Sequence, residues 1–144
     1  MIWRLLDIFF VLFHIFIILF NLFGWIWKRT RKYNLILLLL TGGSWLFLGL
    51  LVGTLGYCPL TDWHFDVLEK LGQTNLPLSY IKYLADRLTG LNFSSSMVDD
   101  ITLYSFLTAL IISFYLNLRE YRKAHKWRRT PHWKIKIMFN MHQV

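Results

Sequence analysis

Three long apolar stretches dominate the chain, and few polar side chains interrupt them. The first is Ile8 to Trp27, the second Leu35 to about Tyr57, and the third Ile101 to Leu118. At 1.5 Å of rise per residue, about 20 residues cross the hydrocarbon layer of a membrane. With the flanking residues that can join each helix, the pattern predicts spans at about 5–27, 35–57 and 98–118. The runs Ile8–Phe13 and Leu35–Leu40 offer no polar face, which argues against a soluble helical bundle. A cleaved signal peptide does not fit the first run. Its apolar core is too long, and it ends in Gly24-Trp25-Ile26-Trp27 without a small-x-small cleavage pattern.

Between the second and third spans, residues 58–97 read as a structured loop. Thr61 is placed to cap a short helix through Leu71, with Asp62 in its first turn and Gly72 just past its end. A second helix is expected to open near Leu76-Pro77 and to stop at Thr89-Gly90, with Lys82 and Asp86 paired four apart. Ser96 followed by Asp99 reads as a capping box for the third span. The expected fold is an all-α integral membrane protein with short amphipathic loop helices. Residues 1–118 form its membrane domain, and 119–144 form a basic amphipathic tail with a further helix start at Thr130-Pro131.

Composition agrees with this pattern. Hydrophobic residues make up 56% of the 144 and charged residues 17%, against about 25% charged in soluble domains. A single cysteine excludes a disulfide-stapled scaffold. The net charge of +8 is unevenly spread. Lys28, Arg29, Arg31 and Lys32 lie in the first link, and eight more basic residues follow Leu118. Residues 58–100 hold Asp62, Asp66, Glu69, Asp86, Asp99 and Asp100 against only Lys70, Lys82 and Arg87. By the positive-inside rule the link and tail are cytoplasmic, and the N-terminus and long loop are external. The charge is therefore a topology signal, and no nucleic-acid partner is expected.

Polar groups inside the spans carry the candidate chemistry. Asp7, His14 and Asn21 recur every seven residues, nearly two helical turns, and so form one stripe. Such groups are costly in hydrocarbon and face protein or a water-filled cavity. Antiparallel spans bring the start of the first near the end of the second. Asp7 and His14 are thus expected to approach Cys58, Thr61, Asp62 and His64 in one external polar centre, with Asn21 deeper in the packing. Cysteine, aspartate and histidine are credible zinc ligands, but no close metal-binding spacing is present. His14 is the only histidine within a span; it could meet the external His64 but hardly His125, so a two-histidine haem within one subunit is not expected. No cofactor is assigned. Gly42, Gly49, Gly53 and Gly56 offer the second span a small-residue face for close helix approach.

The combination Asp7…His14…Gly24 with Gly56-Tyr57-Cys58-Pro59-Leu60-Thr61 resembles the bacterial membrane-protein family DUF2784 over roughly residues 5 to 118. The resemblance implies a small multi-pass protein of the bacterial inner membrane, in which the orientation given by the positive-inside rule places the N-terminus in the periplasm and the C-terminus in the cytoplasm. It implies no reaction. Two function classes follow from the residues. One is a noncatalytic module or accessory subunit of a membrane assembly, with lipids, a second copy or other membrane proteins as partners. The other is an enzyme or a small-molecule, lipid or metal binder using the external polar centre.

Overall fold

A computed structural model describes residues 1–54 and 56–128. All regular structure among them is helical. Helix α1 is Ile2–Phe23 and α2 is Arg31–Gly43. A π-helical turn, Ser44–Leu48, carries α2 into the short α3, Gly49–Val52. Helices α4, Pro59–Lys70, and α5, Tyr80–Thr89, form the loop. The last helix, α6, is Ser95–Arg128. Ile2–Phe23, Arg31–Val52 and the Ser95–His125 part of α6 are each long and apolar enough to cross a membrane.

The burial pattern of α1 is inverted relative to a soluble helix. Its buried residues are Asp7, Val11, His14 and Asn21, whereas Ile8, Phe9, Leu12, Phe16 and Leu19 are exposed. Apolar side chains turned outward suit lipid, and the polar stripe turns inward, where neighbouring helices can pair it. Helix α1 packs on α2, α4 and α6, and α6 also packs on α2 and α5. Two apolar clusters hold the bundle. Val11, Leu68, Tyr80, Tyr83 and Leu84 join α1 to the loop helices. Leu38, Phe106 and Ala109 join α2 to α6, with Trp25 and Trp45 against them.

Several boundaries differ from the sequence expectation. The first helix ends at Phe23, because the chain turns at Gly24 and Thr30 Oγ1 donates to the Gly24 carbonyl at 2.6 Å. Trp25 to Trp27 therefore belong to the link. The second span stops at Val52, where Gly53 takes φ +80° and ends the helix. Thr61 does not cap α4. Cys58 occupies that position without a side-chain cap bond, and Pro59 starts the helix, where its missing N–H costs nothing. Pro77 likewise precedes α5, which begins at Tyr80 after Ser79, while Gly90 ends it at φ +73° as expected. Helix α6 starts at Ser95, so Asp99 falls outside its first turn and the Ser96–Asp99 capping box does not form. The same helix runs past Leu118 without a break to Arg128. The tail helix expected after Thr130-Pro131 lies outside the described residues.

The glycine face is also redistributed. Gly49 is buried, and a Cβ on Gly42 would lie 3.2 Å from the Phe106 ring, so both sit in a packed surface. Gly53 and Gly56 do not. Both have positive φ, and nothing among the described residues lies within 4 Å of a Cβ there, so they shape the turn after α3. The closest approach involves Gly24, where a Cβ would lie 2.5 Å from the Phe20 carbonyl and 2.9 Å from Asn34 Nδ2.

Candidate functional site

A polar network forms where the start of α1 meets the two loop helices. Asp7 is its hub. Arg87 reaches across from the last turn of α5, with Nη1 donating to Asp7 Oδ1 at 2.6 Å and Nη2 to Oδ2 at 2.9 Å. This two-pronged geometry is the strong form of a guanidinium–carboxylate pair. His64, fully buried on α4, places Nε2 3.0 Å from Asp7 Oδ1 and Nδ1 2.6 Å from the Tyr80 hydroxyl. A carboxylate can only accept, so Nε2 carries the proton and donates it. Nδ1 then accepts from Tyr80. The Arg87 Nη1 also donates to the Tyr83 hydroxyl at 2.5 Å, one helical turn away.

Electrostatics supports this assignment. Burial holds the His64 imidazole below its ordinary pKa of 6.5, and the Asp7 hydrogen bond opposes that shift without reversing it. Burial also pushes the Tyr80 and Tyr83 phenols up, which keeps both as O–H groups. The carboxylate of Asp7 raises Arg87 further above its already high value. Aromatic walls seal the network. Phe10 stacks on His64 at 5.3 Å, and Tyr83 meets the same ring edge-on at 5.9 Å.

His14 borders this centre without bonding to it. Its ring lies 4.1 Å from that of Tyr80 and 6.2 Å from that of His64. Nδ1 donates to the Phe10 carbonyl at 2.8 Å, which leaves the lone pair on Nε2. That atom is buried and has no partner among the described residues.

The remaining sequence candidates form no side-chain hydrogen bond to this network among the described residues. Cys58 is half-buried at the start of α4, and its carbonyl accepts the Thr61 N–H at 2.9 Å. Asp62 is exposed, and its carboxylate beside the Tyr57 phenol pushes that pKa up. Asn21 sits farther along α1, donating from Nδ2 to Thr41 Oγ1 at 3.1 Å. Among the described residues no three His, Cys, Asp or Glu side chains gather closely enough to hold a metal ion. The arrangement can keep a carboxylate charged at a membrane boundary and can pass a hydrogen bond from Tyr80 through His64 to Asp7.

Sequence reasoning missed Tyr80, Tyr83 and Arg87. The nearest cation to Asp7 in sequence is Arg4, but Arg4 is exposed and the partner comes from 80 residues away. A signal was present. Tyr80, Tyr83, Leu84 and Arg87 share one face of α5, and a buried aspartate needs a cation. A second polar group was missed as well. Asn34 Nδ2 donates to the carbonyls of Phe20 and Asn21, Asn117 Nδ2 donates to the Arg31 carbonyl, and Arg31 pairs with Glu120 at 2.5 Å.

Comparison with curated proteins and with solved structures yields no match. A family model does match, over residues 4–118, which takes in the second span, most of the first and third, and both loop helices. With the Asp7 network and the turn at Gly56–Thr61 inside the matched region, the chain belongs to the family described as Protein of Unknown function, DUF2784.

Proposed function

We propose that this protein is a noncatalytic module of the bacterial inner membrane that serves as an accessory subunit of a larger membrane assembly or of a homo-oligomer. The observation that carries this reading is the engagement of both Asp7 oxygens within the fold. Both of its oxygens are occupied by Arg87, and one also receives His64, so the group best suited to chemistry is committed to docking the loop. The N-terminus and the loop helices lie on the periplasmic side in this reading, and the basic link and tail on the cytoplasmic side. Reporter fusions after Thr30 and after Lys126 are expected to read as cytoplasmic, and one after Asn75 as periplasmic. Native mass in mild detergent is expected to exceed that of one chain. A monomer with no companion protein would overturn the assembly role.

A second reading, a small-molecule binder or enzyme at the loop end, draws on the unpartnered His14 Nε2. His14→Phe separates the two. Loss of thermal stability in ligand-free detergent supports a packing role. A stable variant that has lost a co-purifying ligand supports the binder.

A further inference from the structure

The loop surface carries a feature that the Asp7 network leaves unused. Gln73, Pro77, Tyr83, Asp86 and Arg87 line an open cavity of about 350 Å³. Arg87 commits the end of its guanidinium to Asp7 and Tyr83. The edge turned away, formed by Nε–H and the second Nη2–H, has no partner among the described residues. Such an edge offers two parallel donors with the spacing of phosphate oxygens.

Asp86 brings an anion to the same cavity. Its Oδ1 accepts the Phe93 N–H at 2.9 Å, and Lys82 pairs with its Oδ2, yet a carboxylate keeps further lone pairs. The lining therefore presents one cation and one anion side by side. An apolar rim adjoins it. Leu78, next to Pro77, is 99% exposed, and Leu88 and Leu91, just after Arg87, are 63% and 60% exposed. These leucines stand on or beside helices that pack against the ends of the spans. Mixed charge within and leucines around describe a seat for an amphipathic ligand.

We propose that this cavity seats the headgroup of a phospholipid bearing both a phosphate and a primary ammonium. The phosphate lies on the free edge of Arg87, the ammonium faces Asp86, and the acyl chains run along the exposed leucines. An anionic headgroup brings no cationic N–H to the Asp86 lone pairs that Lys82 and the Phe93 N–H leave open. A choline headgroup has no N–H to give that carboxylate. Discrimination thus comes from the aspartate as much as from the arginine. The proposal stands apart from the assembly role, because co-purification of a partner and lipid preference are read by different measurements.

The test uses the full chain in mild detergent, read by native mass spectrometry. Phosphatidylethanolamine, phosphatidylcholine and phosphatidylglycerol are supplied at equal mole fraction, with soluble O-phosphoethanolamine as a separate arm. The expected result is about fivefold stronger retention of phosphatidylethanolamine than of the other two lipids, the upper worth of one solvent-exposed ion pair. Soluble O-phosphoethanolamine at the same concentration is not retained. Asp86→Asn brings phosphatidylethanolamine and phosphatidylglycerol to parity. Gln73→Glu, at an exposed position outside the Asp7 network, lowers retention of all three phosphates. Equal retention of the lipids by the natural chain, a preference for phosphatidylglycerol, or binding of the soluble headgroup as strong as that of the lipid would each overturn the proposal. If Asp86→Asn fails to fold, Gln73→Glu decides: unchanged retention in that variant also overturns it.

Discussion

The two ends of the bundle satisfy their polar groups in opposite ways. At the loop end, charged Asp7 and Arg87 and the ring of His64 are joined by α1, α4 and α5, and both Asp7 oxygens are engaged. At the link end the buried groups are neutral amides and a hydroxyl. There Asn21 Oδ1, Asn34 Oδ1 and Ser113 Oγ are buried with no partner among the described residues, and the one ion pair, Arg31–Glu120, sits at the rim. The difference follows from magnitude. A buried charge without its counter-charge is far costlier than an unpaired amide oxygen, which costs about 1–3 kcal/mol. Charge therefore recruits partners from distant sequence, whereas neutral groups can yield a hydrogen bond for close backbone approach. The loop end fixes which elements meet. The link end fixes how closely they pack.

The sharpest way to break this contrast is Arg87→Ala. It strands Asp7 beside His64 and is expected to cost about 2–3 kcal/mol, less than the ~3–5 kcal/mol of a fully buried pair because the Arg87 side chain is 34% exposed. The loss should be local. Hydrogen exchange is expected to rise across α4 and α5 while α2 and its partner segment of α6 remain protected. Uniform loss of protection would mean that the two ends are one cooperative unit. Adding Asp7→Asn is expected to recover part of the stability, since it removes the stranded charge.

Gly24→Ala probes the other end. Its new methyl group would meet backbone and the Asn34 amide, and overpacking of this kind costs about 1–3 kcal/mol. Gly53→Ala serves as the control. It meets no neighbour among the described residues, and its φ of +80° imposes backbone strain of about 1 kcal/mol. Thermal unfolding in detergent should rank Gly24→Ala as the more damaging. The reverse order would remove close packing as the organising feature of the link end.

The smallest effect is a pH dependence confined to the loop end. Docking holds His64 below its ordinary pKa of 6.5, so the undocked loop binds the proton first as pH falls. Docking stability is expected to be flat above about pH 6.5 and to decline below it, through the window down to the depressed value. Exchange protection of α4 measured from pH 8 to 5 checks this. His64→Phe should flatten the acidic decline, whereas a decline that persists would assign it to another group.

The elements were largely legible in the sequence because the membrane imposes length and apolarity on each span. The stripe of Asp7, His14 and Asn21 was legible too, since a seven-residue period on a helix keeps one face. What escaped was partner choice. Arg87 lies 80 residues from Asp7, and although its place on the Tyr80–Tyr83–Leu84 face of α5 sets it apart from Lys82, nothing in the sequence ties that face to Asp7. Gly53 and Gly56 look like packing glycines, four and seven residues after Gly49 and so on nearly the same helical face. Their role depends on φ, which spacing does not reveal. Cys58 replaced Thr61 as the start of α4 because Pro59 is better suited to the first turn than to the position before it.

The positions of the two networks along the chain bear on the order of its biogenesis. Synthesis delivers residues from the N-terminus onward, and segments fold as their partners become available. Every member of the Asp7 network, Tyr80, Tyr83 and Arg87 included, precedes α6. That end can close while the third span is still being made. The Arg31–Glu120 pair and the Asn117 bond to the Arg31 carbonyl need residues from the far end of that span. A chain halted after Asn92 would already hold everything required to lock its loop onto the first helix, and the last helix would then insert against a surface whose loop helices are in place.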